Sequence, residues 1–100
     1  MEIKTSIDGD KAFISLVGKL TVQTSPELSA EVDKLPASVR DISVDLSGID
    51  YIASAGLRVL VACDKLAVKR SGRMHLLHPR QDVMEVFEMT GLSEVFSIEQ

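Results

Sequence analysis

The sequence predicts an α/β fold in which helices pack on a mixed sheet of four or five strands. Segments in which apolar and polar residues alternate predict strands, and segments whose apolar residues recur every three or four positions predict helices. Two strands come first, joined by a short turn, and the later strands alternate with helices. This alternation implies right-handed crossovers. The expected element order is β-β-α-β-α-β-α, with an optional final strand.

A β-hairpin is expected at the start of the chain. Alternation predicts strands over residues 2–7 and 11–20, and Asp8-Gly9-Asp10 between them is a strong turn sequence. The face of the second strand that is expected to be buried carries Ala12, Ile14, Leu16, Gly18 and Leu20.

The first helix is expected to lie between Ser25 and Pro36. A proline disfavours the helical conformation in the residue before it and suits the first helical position. We therefore predict Ser25 as the N-cap and Pro26 as position N1. Its apolar stripe consists of Leu28, Val32 and Leu35.

A third strand and a second helix follow. Residues 41–46 alternate again, which predicts a strand that leads into a short loop. The second helix is expected to begin near Ser54 and to stop at Ser71-Gly72, with Gly72 as the C-cap. Asp64 falls near the edge of its apolar arc, and the sequence offers no further reason for an acid there.

The last third of the chain predicts one strand, one helix and the optional strand. Met74–Leu77 is a short apolar strand that His78-Pro79 interrupts. The final helix carries its apolar stripe from Val83 to Thr90 and ends at Gly91. Residues 95–98 are the candidate for the last strand.

Length and composition favour one soluble domain over residues 1–100. The chain is 45% hydrophobic, carries a formal net charge of −4 and has one cysteine. The negative charge argues against non-specific binding to nucleic acid or anionic lipid. A lone cysteine suits a reducing compartment, and neither a signal peptide nor a run long enough to span a membrane is visible. We expect a cytoplasmic protein without membrane insertion, whose oligomeric state the sequence leaves open.

Catalytic and metal-binding motifs are not expected. Ile52-Ala53-Ser54-Ala55-Gly56 matches half of a G-x-S-x-G nucleophile elbow, but Ile52 stands where the first glycine belongs. His75 and His78 would point to opposite faces of a strand, and Cys63 suits a buried apolar position. No phosphate-binding glycine loop is present. We predict no catalytic residue, metal or cofactor.

Ser54 is the candidate functional residue. Only alanines flank its hydroxyl, at the expected positive end of a helix. One interpretation is a plain N-cap. The other is a regulatory phosphorylation site, since a phosphate adds about −1.5 to −2 charge.

Arg58, Lys65 and Lys69 share the polar side of the same helix. They form either a solvated face or a docking surface for an acidic partner. Arg58, one turn from Ser54, is also placed to pair with a phosphate there.

The stretch from Asp45 to Leu60, DLSGIDYIASAGLRVL, resembles the central motif of the STAS domain, in the form found in bacterial anti-sigma factor antagonists. Gly18-Lys19-Leu20 with Thr24-Ser25-Pro26-Glu27-Leu28 is similar to its earlier motif. Thr90-Gly91-Leu92 with Val95-Phe96 is similar to its C-terminal element. The resemblance covers essentially the whole chain and implies a STAS-like single domain.

The resemblance implies a partner-switching regulator. When unphosphorylated, such an antagonist binds an anti-sigma factor that is also a serine kinase, and thereby releases a sigma factor. The kinase, which binds the ATP, phosphorylates the serine matched by Ser54, and the complex dissociates until a phosphatase resets it. The implied partner-binding residues are Thr21, Thr24, Asp50, Tyr51, Ile52, Ala53, Ala55, Gly56 and Arg58.

Two positions depart from the family pattern. Ala53 stands where the family often has an aspartate, and Thr21 stands where an acidic residue is common. Both bear on recognition by the kinase. They favour an alternative, in which the chain is a non-switching STAS subunit of a larger assembly, such as a lipid-transport complex or a stress-signalling scaffold.

Overall fold

The computed structural model describes residues 1–100 and contains five strands and three α-helices. The strands are β1 (Glu2–Asp8), β2 (Lys11–Leu20), β3 (Asp41–Ile52), β4 (Met74–Leu77) and β5 (Ser97–Glu99). The helices are α1 (Ser25–Asp33), α2 (Ser54–Lys69) and α3 (Gln81–Met89), and a 3₁₀ turn covers Leu92–Glu94. The predicted element order, including the optional last strand, is confirmed.

The sheet is mixed and has the strand order β1-β2-β3-β4-β5. β1 pairs with β2 antiparallel, and the other neighbours are parallel. Each crossover steps in the same direction across the sheet, so right-handed connections bring all three helices to one face. The buried apolar residues of the strands and helices form one core. The apolar residues predicted on the inner faces of β2 and α1 belong to it, except the half-buried Gly18. So do Ile42, Val44 and Leu46, the apolar positions of the alternating segment at residues 41–46.

β3 is twice as long as the predicted strand, and it contains two bulges. Its pairing with β2 shifts register between Ser15 and Val17 and again between Gly18 and Lys19, with an extra β3 residue each time. The buried residues after Leu46 are therefore Ile49 and Ile52, three positions apart instead of two. Because this spacing breaks the alternation of buried and exposed residues, the sequence predicted a loop before Ser54. The structure has the end of β3 there.

The start of α1 differs from the prediction, because Thr24 occupies the N-cap position and Ser25 is the first helical residue. The Ser25 hydroxyl does not cap the helix. It donates backward to the carbonyl of Thr21, and the residue is buried. Pro26 still lies in the first turn.

The end of α2 also differs. Ser71, not Gly72, takes the left-handed conformation, with φ of 66°. The N–H of Gly72 donates to Ala67 O at 2.8 Å and that of Ser71 to Val68 O at 2.9 Å, which is a Schellman motif. A side chain at Gly72 would place its Cβ 2.0 Å from the Arg40 carbonyl oxygen. Gly72 is therefore required for close approach of two backbone segments.

Asp64, unexplained by the sequence, is a buried acceptor within the helix layer. Its Oδ1 accepts from Arg73 Nε at 3.2 Å and from the Met74 N–H at 3.3 Å. Arg73 in turn donates from Nη2 to the carbonyl of Val95 at 2.6 Å. The acid thus ties α2 to the start of β4 and to the segment before β5.

The last strand starts two residues later than predicted. Gly91 ends α3 in a left-handed conformation, as expected, and the 3₁₀ turn follows. Phe96 is buried and packs edge-on against Phe87, with 5.5 Å between the ring centroids. None of the helices combines the length and apolar character needed to cross a bilayer.

Candidate functional site

Ser54 lies at the carboxyl edge of the parallel part of the sheet. Leu20 at the end of β2 pairs with Ile52 at the end of β3, and the Ala53 N–H donates to Leu20 O at 2.9 Å. The loop after β2 and the start of α2 are therefore held side by side. Ligands of open α/β sheets commonly bind at this edge.

Ser54 is the first residue of α2, and its hydroxyl is free. The N-cap is Ala53, which has an extended backbone and no side chain that can cap, so the N-cap interpretation of Ser54 is wrong. The first turn of α2 contains no acidic residue. The first backbone N–H groups of a helix lack intrahelical acceptors and carry partial positive charge. An exposed serine therefore stands at a positive helix end that no side chain of the protein neutralises.

The beginning of α2 lies unusually close to the sheet because of Gly56. An added Cβ at this position would meet the Leu20 side chain at 2.7 Å and Ile52 at 3.1 Å. Gly56 and Ile52 are both buried. They were predicted to contact a partner, but burial removes them from the accessible surface, and they instead pack the start of α2 against the sheet.

Thr21 and Thr24 hold the loop between β2 and α1 in place. Thr24 Oγ1 accepts from the Thr21 N–H at 2.8 Å and donates to the carbonyl of Lys19 at 2.7 Å. Thr21 Oγ1 accepts from the Gln23 N–H at 3.2 Å. Both hydroxyl groups are therefore engaged within the loop, and direct contact of these half-buried residues with a partner stays a prediction.

Asp50 and Tyr51, just before the end of β3, have exposed side chains. Asp50 accepts from Lys19 Nζ at 3.1 Å, and this exposed pair neutralises the acid nearest to Ser54 in the sequence. The Tyr51 side chain is 51% exposed. Since Ile52 points inward and Tyr51 outward, the tyrosine is the one of the two that a partner can contact.

A groove between α1 and α2 begins beside Ser54. It encloses about 530 Å³, with Ala55 and Val59 from α2 on one side and Ala30 from α1 on the other. Val22, 65% exposed at the tip of the loop after β2, also lines it. Sequence reasoning missed Val22, although an apolar residue in the turn before a helix was a usable indication.

Arg58 lines the same groove and is exposed, with no hydrogen bond or ion pair to the rest of the protein. It lies one helical turn after Ser54, as predicted, and spacing of four residues places two side chains on neighbouring positions of a helix surface. Ala53 and Ala55 beside the serine are half-buried and leave it unobstructed.

The remaining candidates for chemistry are structural. His75 Nδ1 lies 3.2 Å from Ser97 Oγ and 3.5 Å from Glu99 Oε2, so its partners belong to β5. Burial, reinforced by the charge of Asp64, raises the pKa of the Cys63 thiol to about 12. A thiol with that pKa stays protonated at neutral pH. No cluster of three or more potential metal ligands occurs.

Comparison with known proteins identifies the family. A sequence model described as "Mlab, STAS domain" matches residues 3–98, and the chain therefore belongs to the STAS domain family. An anti-sigma-B factor antagonist of Bacillus subtilis is 26% identical over 85 residues, which are 85% of this chain and 78% of that protein. The BtrV protein of Bordetella bronchiseptica is 38% identical over 76 residues, 76% of this chain, and the chain spans only 63% of BtrV.

Solved structures with the same architecture include the anti-sigma factor antagonist SpoIIAA. Its unphosphorylated form matches with a TM-score of 0.82 at 18% identity, over 99% of this chain and 89% of that chain. SpoIIAA of Bacillus in its phosphorylated form matches with a TM-score of 0.77 at 18% identity, over 99% and 92%. At these identities the likeness concerns the fold, and the predicted STAS-like α/β class is confirmed.

Proposed function

We propose that this protein is an anti-sigma factor antagonist that binds an anti-sigma factor through the surface around Ser54. The observation that carries the proposal is an exposed, uncapped serine at the first position of α2, at the carboxyl edge of the sheet. The names of the relatives support it, since the Bacillus subtilis protein is an anti-sigma-B factor antagonist. By binding the anti-sigma factor, the protein would release a sigma factor for transcription in the cytoplasm.

The binding surface combines small residues next to Ser54 with exposed apolar groups. Ala53 and Ala55 flank the serine without covering it, and Val22 after β2 and Tyr51 near the end of β3 are exposed. A partner that buries this surface gains the hydrophobic contribution of both side chains. It also brings its own groups to within reach of the Ser54 hydroxyl.

Phosphorylation of Ser54 ends the interaction in this proposal. The Ser54 hydroxyl oxygen attacks the γ-phosphorus of ATP held by the partner kinase, the bond to ADP breaks, and the hydroxyl proton passes to a base of the kinase. The product carries about −1.5 to −2 charge. Within the protein, the helix dipole and Arg58 stabilise this charge. At a desolvated interface the same charge is costly, so the complex dissociates. A phosphatase that hydrolyses the phosphoserine restores binding.

The test compares Ser54→Ala with Ser54→Asp, measured by calorimetry against the cognate anti-sigma factor. Ser54→Ala should bind as the unmodified protein does. Ser54→Asp should bind at least about tenfold more weakly because it places a charge at the interface. Ser38→Asp is the matched control, since Ser38 is also exposed but lies outside the proposed surface. Equal affinity of the two Ser54 variants contradicts the switch.

A second candidate function is a non-switching STAS subunit of a fixed assembly. Ala53 and Thr21, at positions where acids are common in the family, favour this alternative. Intact mass spectrometry of protein isolated from its own cells separates the two roles. A single phosphate on Ser54 with a kinase bound supports the antagonist, and an unmodified Ser54 in a stable complex with membrane ATPase subunits supports the fixed assembly.

A further inference from the structure

We propose that the exposed side of α2 beyond Ser54 is a docking surface for an acidic, amphipathic segment of the anti-sigma factor. We call it the α2 cationic face. It consists of Arg58, Val61, Ala62, Lys65, Val68 and Lys69. The proposal rests on the proposed function for the identity of the partner, and it extends the contact surface along the whole helix.

The three cations stand in one row with Ser54. At about 100° per residue, Ser54, Arg58, Lys65 and Lys69 fall within about 60° of one another around the helix axis. The row begins at the first residue of α2 and ends at its last, a length of about 22 Å. A helix or extended segment of a partner can follow such a row without a change of direction.

The charge of this face is unusual for the protein. The chain has a net charge of −4, yet the only acid of α2 is Asp64, which is buried and accepts from Arg73 and Met74. None of the three cations of the row has an ion-pair partner, which is true of most lysines and arginines of the chain. What distinguishes these three is that they share one side of a helix that carries no exposed acid. The exposed side of α2 therefore carries positive charge, although Asp33 of α1 lines the same groove as Arg58 without forming an ion pair with it.

A contribution to helix stability explains only one of the cations. Lys69 lies in the last turn of α2, where the negative end of the helix dipole favours a cation. Arg58 lies near the positive end of the helix, where the dipole gives a cation no benefit. Lys65 has no acid four residues away on the face, because position 61 is valine and position 69 is lysine. Binding of an external acid accounts for the whole row.

Apolar side chains lie between the cations and specify the kind of partner. Val68 is 55% exposed, Ala62 is exposed and Val61 is half-buried. A segment that carries carboxylates alone would leave these groups in water. An amphipathic acidic segment satisfies the cations and covers the apolar groups at the same time.

The row also links docking to phosphorylation. A phosphate on Ser54 would stand at the head of the row, one turn from Arg58. It would pair with that guanidinium and repel the first carboxylate of the docked segment. Loss of binding on phosphorylation thus follows from competition for Arg58 as well as from the buried charge.

The experiment measures affinity for the cognate anti-sigma factor by calorimetry at about 50 and 300 mM salt, where charge pairs at an exposed surface are screened to different degrees. Lys65→Glu with Lys69→Glu should weaken binding about tenfold or more at low salt. Lys4→Glu with Lys11→Glu makes the same change in net charge on the opposite face of the sheet and should alter affinity less than about twofold. Lys65→Gln with Lys69→Gln removes charge without reversing it. Its affinity for the anti-sigma factor should lie between those of the two glutamate pairs. Circular dichroism checks that each variant is folded.

The outcomes separate the two proposals. If the unmodified protein fails to bind the anti-sigma factor, the proposed function and this inference both fail. If it binds, and the double variants at 65 and 69 bind equally well, the docking surface alone is overturned and α2 has a merely solvated face. If both pairs of glutamates weaken binding equally, net charge and not this face is responsible, which also overturns the inference.

Discussion

The two ends of α2 are built in opposite ways. At the C-terminal end, Ser71 and Gly72 close a Schellman motif, and Arg70 donates from Nη1 to the carbonyls of Pro36 at 3.0 Å and Val39 at 3.1 Å. At the N-terminal end, no side chain caps the helix, and Ser54 is exposed. The protein satisfies its polar groups where the helix only supports the fold. At the start of the helix the N–H groups of Gly56 and Leu57 donate to Ala53 O, but no side chain caps the helix, and this is where we propose that a partner binds.

Gly72→Ala should have the largest effect on stability, because it acts at the C-terminal end of α2, where the Schellman motif closes the helix. The new Cβ would lie 2.0 Å from a backbone oxygen, and only backbone movement relieves that overlap. We expect unfolding in urea to show a loss of about 3 kcal/mol or more. Gly9→Ala, where no atom lies within 4 Å, should cost only about 1 kcal/mol for its left-handed conformation. Equal losses would contradict the difference in packing.

Asp64→Ala should cause the second-largest loss of stability. It removes the acceptor of the Arg73 guanidinium and of the Met74 N–H, and leaves the latter buried without a partner. The expected loss in the free energy of unfolding is about 2 kcal/mol. Asp33→Ala is the control, since Asp33 is exposed and makes no ion pair. A loss no larger than that of the control would show that Asp64 does not hold the three segments together.

Ala53→Asp tests the open end and should change stability in the other direction. Ala53 already has the extended backbone of an N-cap, so a carboxylate there can accept from the first N–H groups of α2. Thermal or urea unfolding should show a gain of about 0.5–1 kcal/mol. Ala53→Val, which cannot accept a hydrogen bond, should show no gain. A failure of the aspartate to stabilise would mean that the helix start is satisfied in another way.

Cys63 is buried in the middle of α2 and should be as well protected from solvent as the C-terminal end of the helix. Ionisation of its thiol should have the smallest effect on stability at neutral pH. The folded protein should not react with an aromatic disulfide at pH 8, and the protein unfolded in urea should react fully. Because burial raises the thiol pKa from 9.0 to about 12, the unfolded chain loses its proton first. Stability should therefore fall as the pH rises above about 9. The decline should shrink in Cys63→Ser, and an unchanged decline would assign it to other groups.

The sequence predicted the architecture well because most elements follow simple periodicities. The inner faces of β2 and α1, the turn at residues 8–10 and the end of α3 at Gly91 all lie where apolar spacing and glycine placed them. The second half of β3 was missed because its two bulges break the alternation on which strand prediction depends.

The candidate site was predicted in position but not in detail. Ser54 and Arg58 are accessible, as expected, whereas Ile52 and Gly56 are buried. Which of two neighbouring residues points outward depends on the register of β3, and register is a property of strand pairing that one sequence segment does not reveal. The partner of Asp64 was likewise unpredictable, because Arg73 approaches it only once α2 and β4 are packed together.

The two bulges of β3 also constrain how this chain can vary in length. At each bulge the extra residue of β3 has no partner on β2, so loss of one residue there would remove the bulge and leave the pairing of Ile52 with Leu20 unchanged. In the regular part of the strand, residues 41–45, no unpaired residue can absorb a deletion, and the side chains next to it would turn to the other face of the sheet. Single-residue deletions should therefore be tolerated better at the two bulges and in the exposed connection at residues 36–38 than at residues 41–45.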